Sequence, residues 1–441
     1  MEKKLNLFDL ISIGVGCIVG SGVFALMGFG IAYSGRGITL ALFLAMLLCV
    51  LQSIAQPLIT RVFELDGGEY AINSLLIPKA CTGFGVGRDL LFRAGSLTVT
   101  AIAVTSYLER LFPAVGAYTK IVSLVVLTAA FLCVLAGDKF AAKVQNVMCI
   151  FMYAALALFV IYGIMNVDTE AYAGEPMLPN GIGGLISAIA LMSYTCNGFQ
   201  YVVNMGKSAA NPTKNIPLAF CLSALVGAVI YGVIGFAATH THSYAVIAGM
   251  NLGGIAEMIM PNTMYLFFVI GGALFALCTS LVGGIVSGYR PLIACTKDGW
   301  LPGGLMKTTK SGTPYVMFLL YLLGAVPILL GMDLGDVATI CLFPGAILKV
   351  MLNIGAMRIP KSFAEEWKAS GMKISLGLYK GLLLLSSAAS IILGIFYFTS
   401  NDLKMAMIAV TAIIALYGIL VGKFGKVTLH VREEYMENSS K

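Results

Sequence analysis

Three adjacent small residues, Gly20, Ser21 and Gly22, lie in the middle of the first long apolar segment, which runs from about residue 7 to residue 32. Glycine and serine are weak helix formers, and glycine leaves nearby backbone amides uncovered. If the helix is broken here, the free amides at the start of its second half can bind an anionic group such as a carboxylate. The alternative is a continuous helix whose small residues allow another helix to pack closely.

A second interruption lies in a later apolar segment, between Gly183 and Tyr201. Its middle, from Thr195 to Gln200, is polar and contains a glycine. Unwound backbone exposes carbonyl oxygens, which accept hydrogen bonds from an ammonium group or bind a cation. A site built from free amides at one break and free carbonyls at the other suits a zwitterion such as an α-amino acid, without a permanent charge in the membrane.

The segments that must hold these two breaks are apolar and numerous. The chain has 441 residues, of which 59% are hydrophobic and 11% charged, whereas soluble domains carry about 25% charged residues. A membrane-spanning helix needs about 20 apolar residues, and the first apolar segment is too long for a cleaved signal peptide and has no cleavage site. The twelve predicted spans are 7–33, 38–60, 88–108, 117–136, 143–165, 182–204, 216–239, 263–288, 314–331, 337–357, 376–398 and 403–422.

The distribution of lysine and arginine predicts the orientation. With twelve spans both termini share one side; if that side is the cytoplasm, 24 of the 28 basic residues lie on it and four lie outside. This bias is the positive-inside signature. It predicts a multi-pass protein of the plasma membrane with both termini in the cytoplasm. Because the basic residues are spread over many loops, no nucleic-acid partner is expected. The expected partner is the lipid bilayer. The four exceptions are Arg36, Arg110, Lys120 and Lys404.

The two interruptions fall in spans one and six, five spans apart. Discontinuous helices in corresponding positions of two inverted repeats form the midplane site of many secondary transporters. An odd number of spans in each repeat requires the two halves to be inverted. The sequence therefore predicts an all-α membrane protein with a five-plus-five inverted repeat and two C-terminal helices. The predicted divisions are residues 1–165 (helices 1–5), 166–360 (helices 6–10) and 361–441 (helices 11–12 and a cytoplasmic tail).

The sequence lacks the residues that other classes of membrane protein require. An enzyme needs titratable groups clustered at membrane depth, yet the three histidines lie in an outer loop and the tail, and the ten cysteines are scattered without a CxxC pair. An ATP-driven pump needs a phosphate-binding loop, and neither GxxxxGKS nor GxxxxGKT occurs. A channel needs polar faces along several helices, and these spans are too apolar for that. We expect no enzyme activity and no cofactor.

Four short motifs lie in or just after the first, second, sixth and eighth predicted spans. They are Ile18-Val-Gly-Ser-Gly-Val-Phe24, Gly67-Gly-Glu-Tyr70, Asn211-Pro-Thr-Lys-Asn-Ile-Pro217 and Lys297-Asp-Gly-Trp-Leu-Pro302. In order and spacing they resemble the motifs of the amino acid–polyamine–organocation (APC) superfamily of permeases, over roughly residues 5 to 360. The resemblance implies the leucine-transporter fold and the movement of an amino acid or amine by alternating access.

The resemblance also implies the residues that bind the substrate. The amides of Ser21 and Gly22 would hold its carboxylate, and the carbonyl of Ile18 would take its amino group with help from carbonyls of the second break. Tyr194 stands where the family often has an aromatic gate, although an aromatic residue in an apolar span is also ordinary membrane core. The remaining predicted binding residues are Gly20 in the first break and Cys17, Asn197 and Phe199, which would shape the side-chain pocket.

Two departures from the family pattern concern the driving ion. Many members have an acidic residue where this chain has Lys207, so a cytoplasmic lock cannot be assumed, and several have a lysine in helix five where this chain has about Met152. Span eight carries Ala276-Leu-Cys-Thr-Ser280, whose carbonyl and two hydroxyls resemble the sodium site of this fold. Thr and Ser are, however, also common packing residues in membranes. The candidate sodium ligands are Gly16, Val19, Ala276, Thr279 and Ser280.

Lys349, in the inner half of span ten, is the deepest charge in the predicted membrane region. An unpaired lysine at the bilayer centre costs about 2.5–3.5 kcal/mol. It is expected either to snorkel to the inner surface or to act as a cation substitute or proton carrier.

These features predict a secondary active transporter of an amino acid, with sodium or a proton as coupling ion. A neutral amino acid is favoured because no charge is fixed at either break. A proton-coupled symporter, an obligate exchanger and a non-transporting amino acid sensor on the same fold remain as alternatives. The oligomeric state is not predicted.

Overall fold

The computed structural model describes residues 5–63, 68–135, 138–205, 209–309 and 314–433, and within them every side chain except those of residues 138–147, 149, 204 and 290. These residues form helices joined by short loops, and the only extended pairings among them are two isolated bridges, Leu5 with Ala209 and Thr308 with Pro314. An all-helical membrane protein was predicted, and this coarse class is confirmed.

The first apolar segment is two helices rather than one. Helix α1 (Leu7–Ile18) begins with a capping box, in which the Asn6 side chain accepts from the Asp9 amide and the Asp9 carboxylate accepts from the Asn6 amide. It ends at Ile18, and the next residue, Val19, has an extended backbone with φ −75° and ψ 98°. Helix α2 (Ser21–Ser34) starts after Gly20 with no side-chain cap. The predicted break is therefore confirmed at residues 19 and 20.

Helices α3 to α8 follow in the first half of the chain. A short 3₁₀ helix, Gly35–Gly37, precedes α3. A single residue separates α3 from α4, so the two helices belong to the same apolar segment. The bounds are Ile38–Ser53 for α3, Ala55–Val62 for α4, Gly68–Leu76 for α5, Lys79–Leu111 for α6, Thr119–Leu135 for α7 and Asp138–Met165 for α8.

The sixth predicted span is interrupted as well. Helix α9 (Gly181–Thr195) ends within the polar stretch, and a 3₁₀ helix, Phe199–Met205, follows it. Between them Gly198 has a φ of +139°, a backbone conformation that side chains with a Cβ rarely adopt. The second predicted break is thus also confirmed, and its geometry requires this glycine.

The remaining helices are α10 to α20. Phe267–Leu274 is a π-helical stretch between α13 and α14, so the eighth apolar segment is continuous but irregular. The bounds are Pro212–Thr239 (α10), Tyr244–Ile247 (α11), Leu252–Ile259 (α12), Asn262–Leu266 (α13), Phe275–Lys297 (α14), Val316–Leu330 (α15), Leu334–Ala356 (α16), Ile359–Ser362 (α17), Ala364–Ala369 (α18), Leu376–Ser400 (α19) and Lys404–Phe424 (α20).

Within the described ranges, nine helical segments are long and apolar enough to cross a membrane, and three shorter apolar helices accompany them. The first of the nine, Ser21–Val62, contains α2 to α4, so it joins parts of two predicted spans. The shorter helices are Leu7–Ile18, Ile150–Met165 and Val316–Leu330. The chain is a multi-pass membrane protein, whereas the count of twelve spans stays a prediction.

Five helices surround the two breaks. Helix α2 packs on α9, α1 packs on α10, and α3 contacts both α9 and α10. On the other side of α2, the Phe24 ring contacts Tyr107 and Phe268 at centroid distances of 6.3 and 5.9 Å, and the Tyr107 hydroxyl donates to the Phe24 carbonyl at 3.2 Å. The second half of the broken first helix is therefore fixed at the core of the protein.

Candidate functional site

The two breaks contact each other through their backbones. A Cβ built on Gly198 would lie 2.3 Å from the Cys17 carbonyl oxygen, and one built on Gly22 would lie 3.0 Å from the Thr195 Cα. Only glycine permits the first approach, because backbone atoms cannot yield as a side-chain end can. Ends of α1, α2 and α9 thus meet at one point, as the sequence predicted from two distant interruptions.

The first break offers backbone amides next to hydroxyl groups. The Ser21 amide donates to Ser280 Oγ at 3.3 Å, and Thr100 Oγ1 donates to Ser21 Oγ at 3.4 Å. A Cβ built on Gly20 would have one neighbour within 4 Å apart from the adjacent residues of the chain, namely Ser280 Oγ at 3.4 Å. The start of α2 therefore faces space bounded by a hydroxyl, a suitable place for a carboxylate at the positive end of a helix.

A tyrosine that the sequence did not single out joins the two breaks. Tyr231 on α10 is fully buried, and its hydroxyl donates to the Ile18 carbonyl at 2.6 Å and lies 3.4 Å from the Thr195 carbonyl. The Ile18 carbonyl was predicted to take the amino group of a substrate, and Tyr231 already occupies one of its lone pairs. A carbonyl has two, so that role stays a prediction. No sequence signal marked Tyr231, because a tyrosine in an apolar span is common.

Side chains hold the second break. Asn197 Nδ2 donates to the Ser193 carbonyl at 2.6 Å, and Asn197 Oδ1 accepts from Gln200 Nε2 at 2.9 Å. Gln200 Oε1 accepts from the Gly198 amide at 3.1 Å. Nearby, Thr195 Oγ1 is buried and has no hydrogen-bond partner among the described residues. Asn197, predicted to shape a side-chain pocket, is thus engaged in holding the turn itself.

The other predicted pocket residues differ in accessibility. Cys17 is exposed, although its neighbours Ile18 and Val19 are buried. Tyr194 is 8% exposed and packs near Phe92, with ring centroids 6.0 Å apart. Phe199 is fully buried with its ring edge-on to Phe220 at 4.8 Å. Their roles toward a substrate stay predictions.

The candidate sodium ligands differ in their hydrogen-bond partners and in their exposure. Thr279 Oγ1 donates to the carbonyls of Phe275 and Ala276 at 2.9 and 3.0 Å, within its own helix, whereas Ser280 Oγ accepts from the first break. Gly16 is exposed, and Val19 is 1% exposed where α1 ends. These oxygens are the hard ligands that sodium would need, and the sodium site stays a prediction.

The two departures from the family pattern have different outcomes. Met152 is 4% exposed, so an apolar side chain fills the core where several family members carry a lysine. Lys207 lies outside the described residues, as does Gly67 of the second motif.

Two interrupted membrane helices whose breaks meet are the architecture of many multi-pass secondary transporters. The profile of the amino acid permease family matches residues 5–421. The chain therefore belongs to the amino acid permease family of the APC superfamily, and it is a transporter rather than an enzyme. The resemblance seen in the motifs is confirmed.

Characterised relatives share this family but differ in what they carry. The chain is 26% identical to the branched-chain amino acid permease of Bacillus subtilis over 81% of this chain and 78% of that protein. It is 25% identical to the methylthioribose transporter of the same organism over 71% and 72% of the two chains. It is 25% identical to cationic amino acid transporter 9 of Arabidopsis thaliana over 68% of this chain and 56% of the relative.

Proposed function

We propose that this protein is a secondary active transporter that moves a neutral amino acid across the plasma membrane by alternating access. The observation that carries the proposal is the meeting of the two breaks. The α2 end would offer the amides of Ser21 and Gly22 to a carboxylate, which would replace Ser280 Oγ as the acceptor of the Ser21 amide, and the carbonyl of Ile18 lies at the end of α1. An amino acid carries both complementary groups on one carbon, so it can bridge this gap without a charged side chain from the protein.

The charge around the breaks favours a neutral substrate. None of the described residues that hydrogen-bond to residues 17–22 or 195–198 is charged. A fixed acid would favour a cationic side chain, and a fixed base an acidic one. The branched-chain permease among the relatives supports an aliphatic substrate as the first candidate, while a cationic amino acid is the second candidate, supported by the relatives named for it.

The architecture we propose has twelve spans, with five-plus-five inverted repeats over residues 1–165 and 166–360 and two further helices in residues 361–441. The described helices support it, since each predicted span overlaps one or more of them. The basic residues support cytoplasmic termini. Cysteine-accessibility labelling at Asp402 and at Ser375, two exposed positions that bracket α19, tests this orientation. Only Asp402→Cys is expected to add reactivity toward an impermeant reagent outside the cell.

Two coupling ions remain candidates. Sodium is supported by the hydroxyls of Thr279 and Ser280, and Ser280 touches the first break directly. Proton symport and amino acid exchange are the alternatives within the transporter class. Uptake that is unchanged when choline replaces sodium would remove sodium coupling. Exchange in preloaded proteoliposomes without an ion gradient would instead favour an exchanger.

The experiment that tests the whole proposal is uptake of a panel of radiolabelled amino acids into proteoliposomes, with sodium and pH varied independently. A thermal-stability screen with the same panel comes first, because a ligand that binds only the folded state raises its melting temperature. We expect stabilisation and uptake by the same neutral amino acid. Stabilisation without flux would identify a sensor on this fold, and absence of both would contradict the proposal.

A further inference from the structure

Lys349 is a buried charge that points into the protein. It lies on α16, is 7% exposed, and its Nζ donates to Ser53 Oγ on α3 at 2.5 Å. None of the ion pairs in the described part of the chain includes it. The acid and base that act on it electrostatically, Glu69 on α5 and Arg88 on α6, pair with each other at 3.3 Å.

The bond to Ser53 is the first of a chain that ends in the second break. Ser53 Oγ also accepts from Gln200 Nε2 at 3.2 Å. The same nitrogen donates to Asn197 Oδ1, and Gln200 Oε1 accepts from the Gly198 amide. A run of hydrogen bonds therefore connects an ammonium group on α16 to the backbone of the turn that follows α9.

The donors and acceptors in this run of hydrogen bonds fit in only one orientation. A backbone amide can only donate, so the Gln200 oxygen must face Gly198 and its nitrogen must face Ser53. An ammonium can also only donate, so Ser53 Oγ accepts twice and uses both of its lone pairs. Lys349 and Gln200 thus fix Ser53 from two sides, and the Gln200 amide is held in the orientation that Gly198 needs.

The burial of the Lys349 ammonium group favours a functional role for this residue. Ionisable residues within membrane helices are costly and mark functional positions by default. Snorkelling would carry the amine to the inner surface, but here it is nearly enclosed and bonded inward to a residue that is 1% exposed. A hydrogen bond from a charged donor is shorter and stronger than one between neutral groups.

We propose that Lys349 is a positioning residue, which acts through Ser53 and Gln200 to hold the Asn197–Gly198 turn in the geometry required by the transport site. The bridge also joins α16, α3 and the second break, so a movement of α16 away from α3 breaks a charge-assisted bond and releases the turn. Its effect on transport rests on the proposed function, whereas its effect on the turn does not.

Hydrogen exchange measured by mass spectrometry tests the positioning without a substrate. The variants are Lys349→Met, which removes the ammonium, and Ser53→Ala, which removes the shared acceptor. The control is Asn353→Ala on the same helix, since Asn353 is also buried but donates to Ser386 and Ser387 of α19. We expect amides of residues 196–203 to exchange about tenfold faster in the first two variants, as for loss of one hydrogen bond, and at the wild-type rate in the control.

Unchanged exchange in Lys349→Met, or equal acceleration in Asn353→Ala, would overturn the proposal. The second arm measures uptake by the same variants and by Lys349→Met/Ser53→Ala. We expect KM to rise about tenfold in each single variant and no further in the double variant, because both act through one bridge. Additive effects would overturn the shared role. If wild-type protein shows no uptake, the proposed function fails, and the exchange experiment still decides the role of Lys349.

Discussion

The two breaks are held in different ways. At the first, α2 starts without a side-chain cap, and hydroxyl groups of Ser280 and Thr100 are the described side-chain partners of Ser21. At the second, Asn197 and Gln200 bind the turn from within. The described partners of the first break therefore come from other helices, including the Tyr231 hydroxyl on the Ile18 carbonyl, whereas the second break is held largely by side chains of its own turn. This difference teaches that matching interruptions in two halves need not play matching roles.

The largest effect is expected at the second break. In Gly198→Ala the new Cβ would lie 2.3 Å from the Cys17 carbonyl oxygen, at a φ of +139° that alanine rarely adopts. We expect loss of uptake and a large fall in melting temperature. Gly183→Ala on α9 is the control, because nothing lies within 4 Å of its Cβ. Wild-type stability in Gly198→Ala would contradict the close contact between the breaks.

Gly22→Val tests the contact from the other side. The valine side chain would press on Thr195, whose Cα lies 3.0 Å from the position of a Cβ on residue 22. We expect the protein to reach the membrane but to lose uptake, because α2 must move away from α9 and its amides leave the site. Surface labelling measures delivery, and near-normal uptake would contradict the assignment of this glycine to the site.

Gly20→Ala separates ligand binding from packing. Its Cβ would touch Ser280 Oγ at 3.4 Å, an ordinary contact, so little protein structure opposes it. We expect an unchanged melting temperature without ligand and an affinity about tenfold lower, because the added methyl group would displace the substrate carboxylate from the neighbouring amides at the cost of about one hydrogen bond. Equal loss of stability and affinity would mean that the first break, like the second, is chiefly structural.

The sequence predicted the breaks but not their supports. Weak helix formers at Gly20–Gly22 and polar residues at Thr195–Gln200 interrupt apolar segments, and interruption is a local property that composition reveals. Lys349 was marked by its charge, but its partner Ser53 was not, and neither was Tyr231, because contacts between distant helices leave no signal in one sequence. For the same reason the bonds of the Asn197 amide to Ser193 and Gln200 were not foreseen, while its place beside a side-chain pocket stays a prediction.

Tyr231→Phe is expected to have a smaller effect on both breaks together. It removes a hydroxyl that donates to the Ile18 carbonyl and lies near the Thr195 carbonyl, and it keeps the ring. We expect a loss of about 1–3 kcal/mol in the free energy of unfolding, as for a buried polar group left without its partner. The control is Tyr379→Phe, another fully buried tyrosine, whose hydroxyl donates to the Ala356 carbonyl on α16 and to no residue of either break. If only the Tyr231 variant changes KM, the hydroxyl serves the site as well as the fold.

The smallest expected effect is at Cys17, which stays accessible next to the first break. We expect Cys17→Ala to leave expression unchanged and to shift the preference among neutral amino acids by a factor of a few, about the effect of one methyl-sized change in a pocket. Asn197→Ala is the contrasting variant, because its side chain holds the second break and its loss should lower stability as well. Competition uptake with a panel of aliphatic amino acids measures the preference. An unchanged order of preference in Cys17→Ala would mean that the side-chain pocket lies away from α1. The first break would then bind only the carboxylate and amino groups of the substrate.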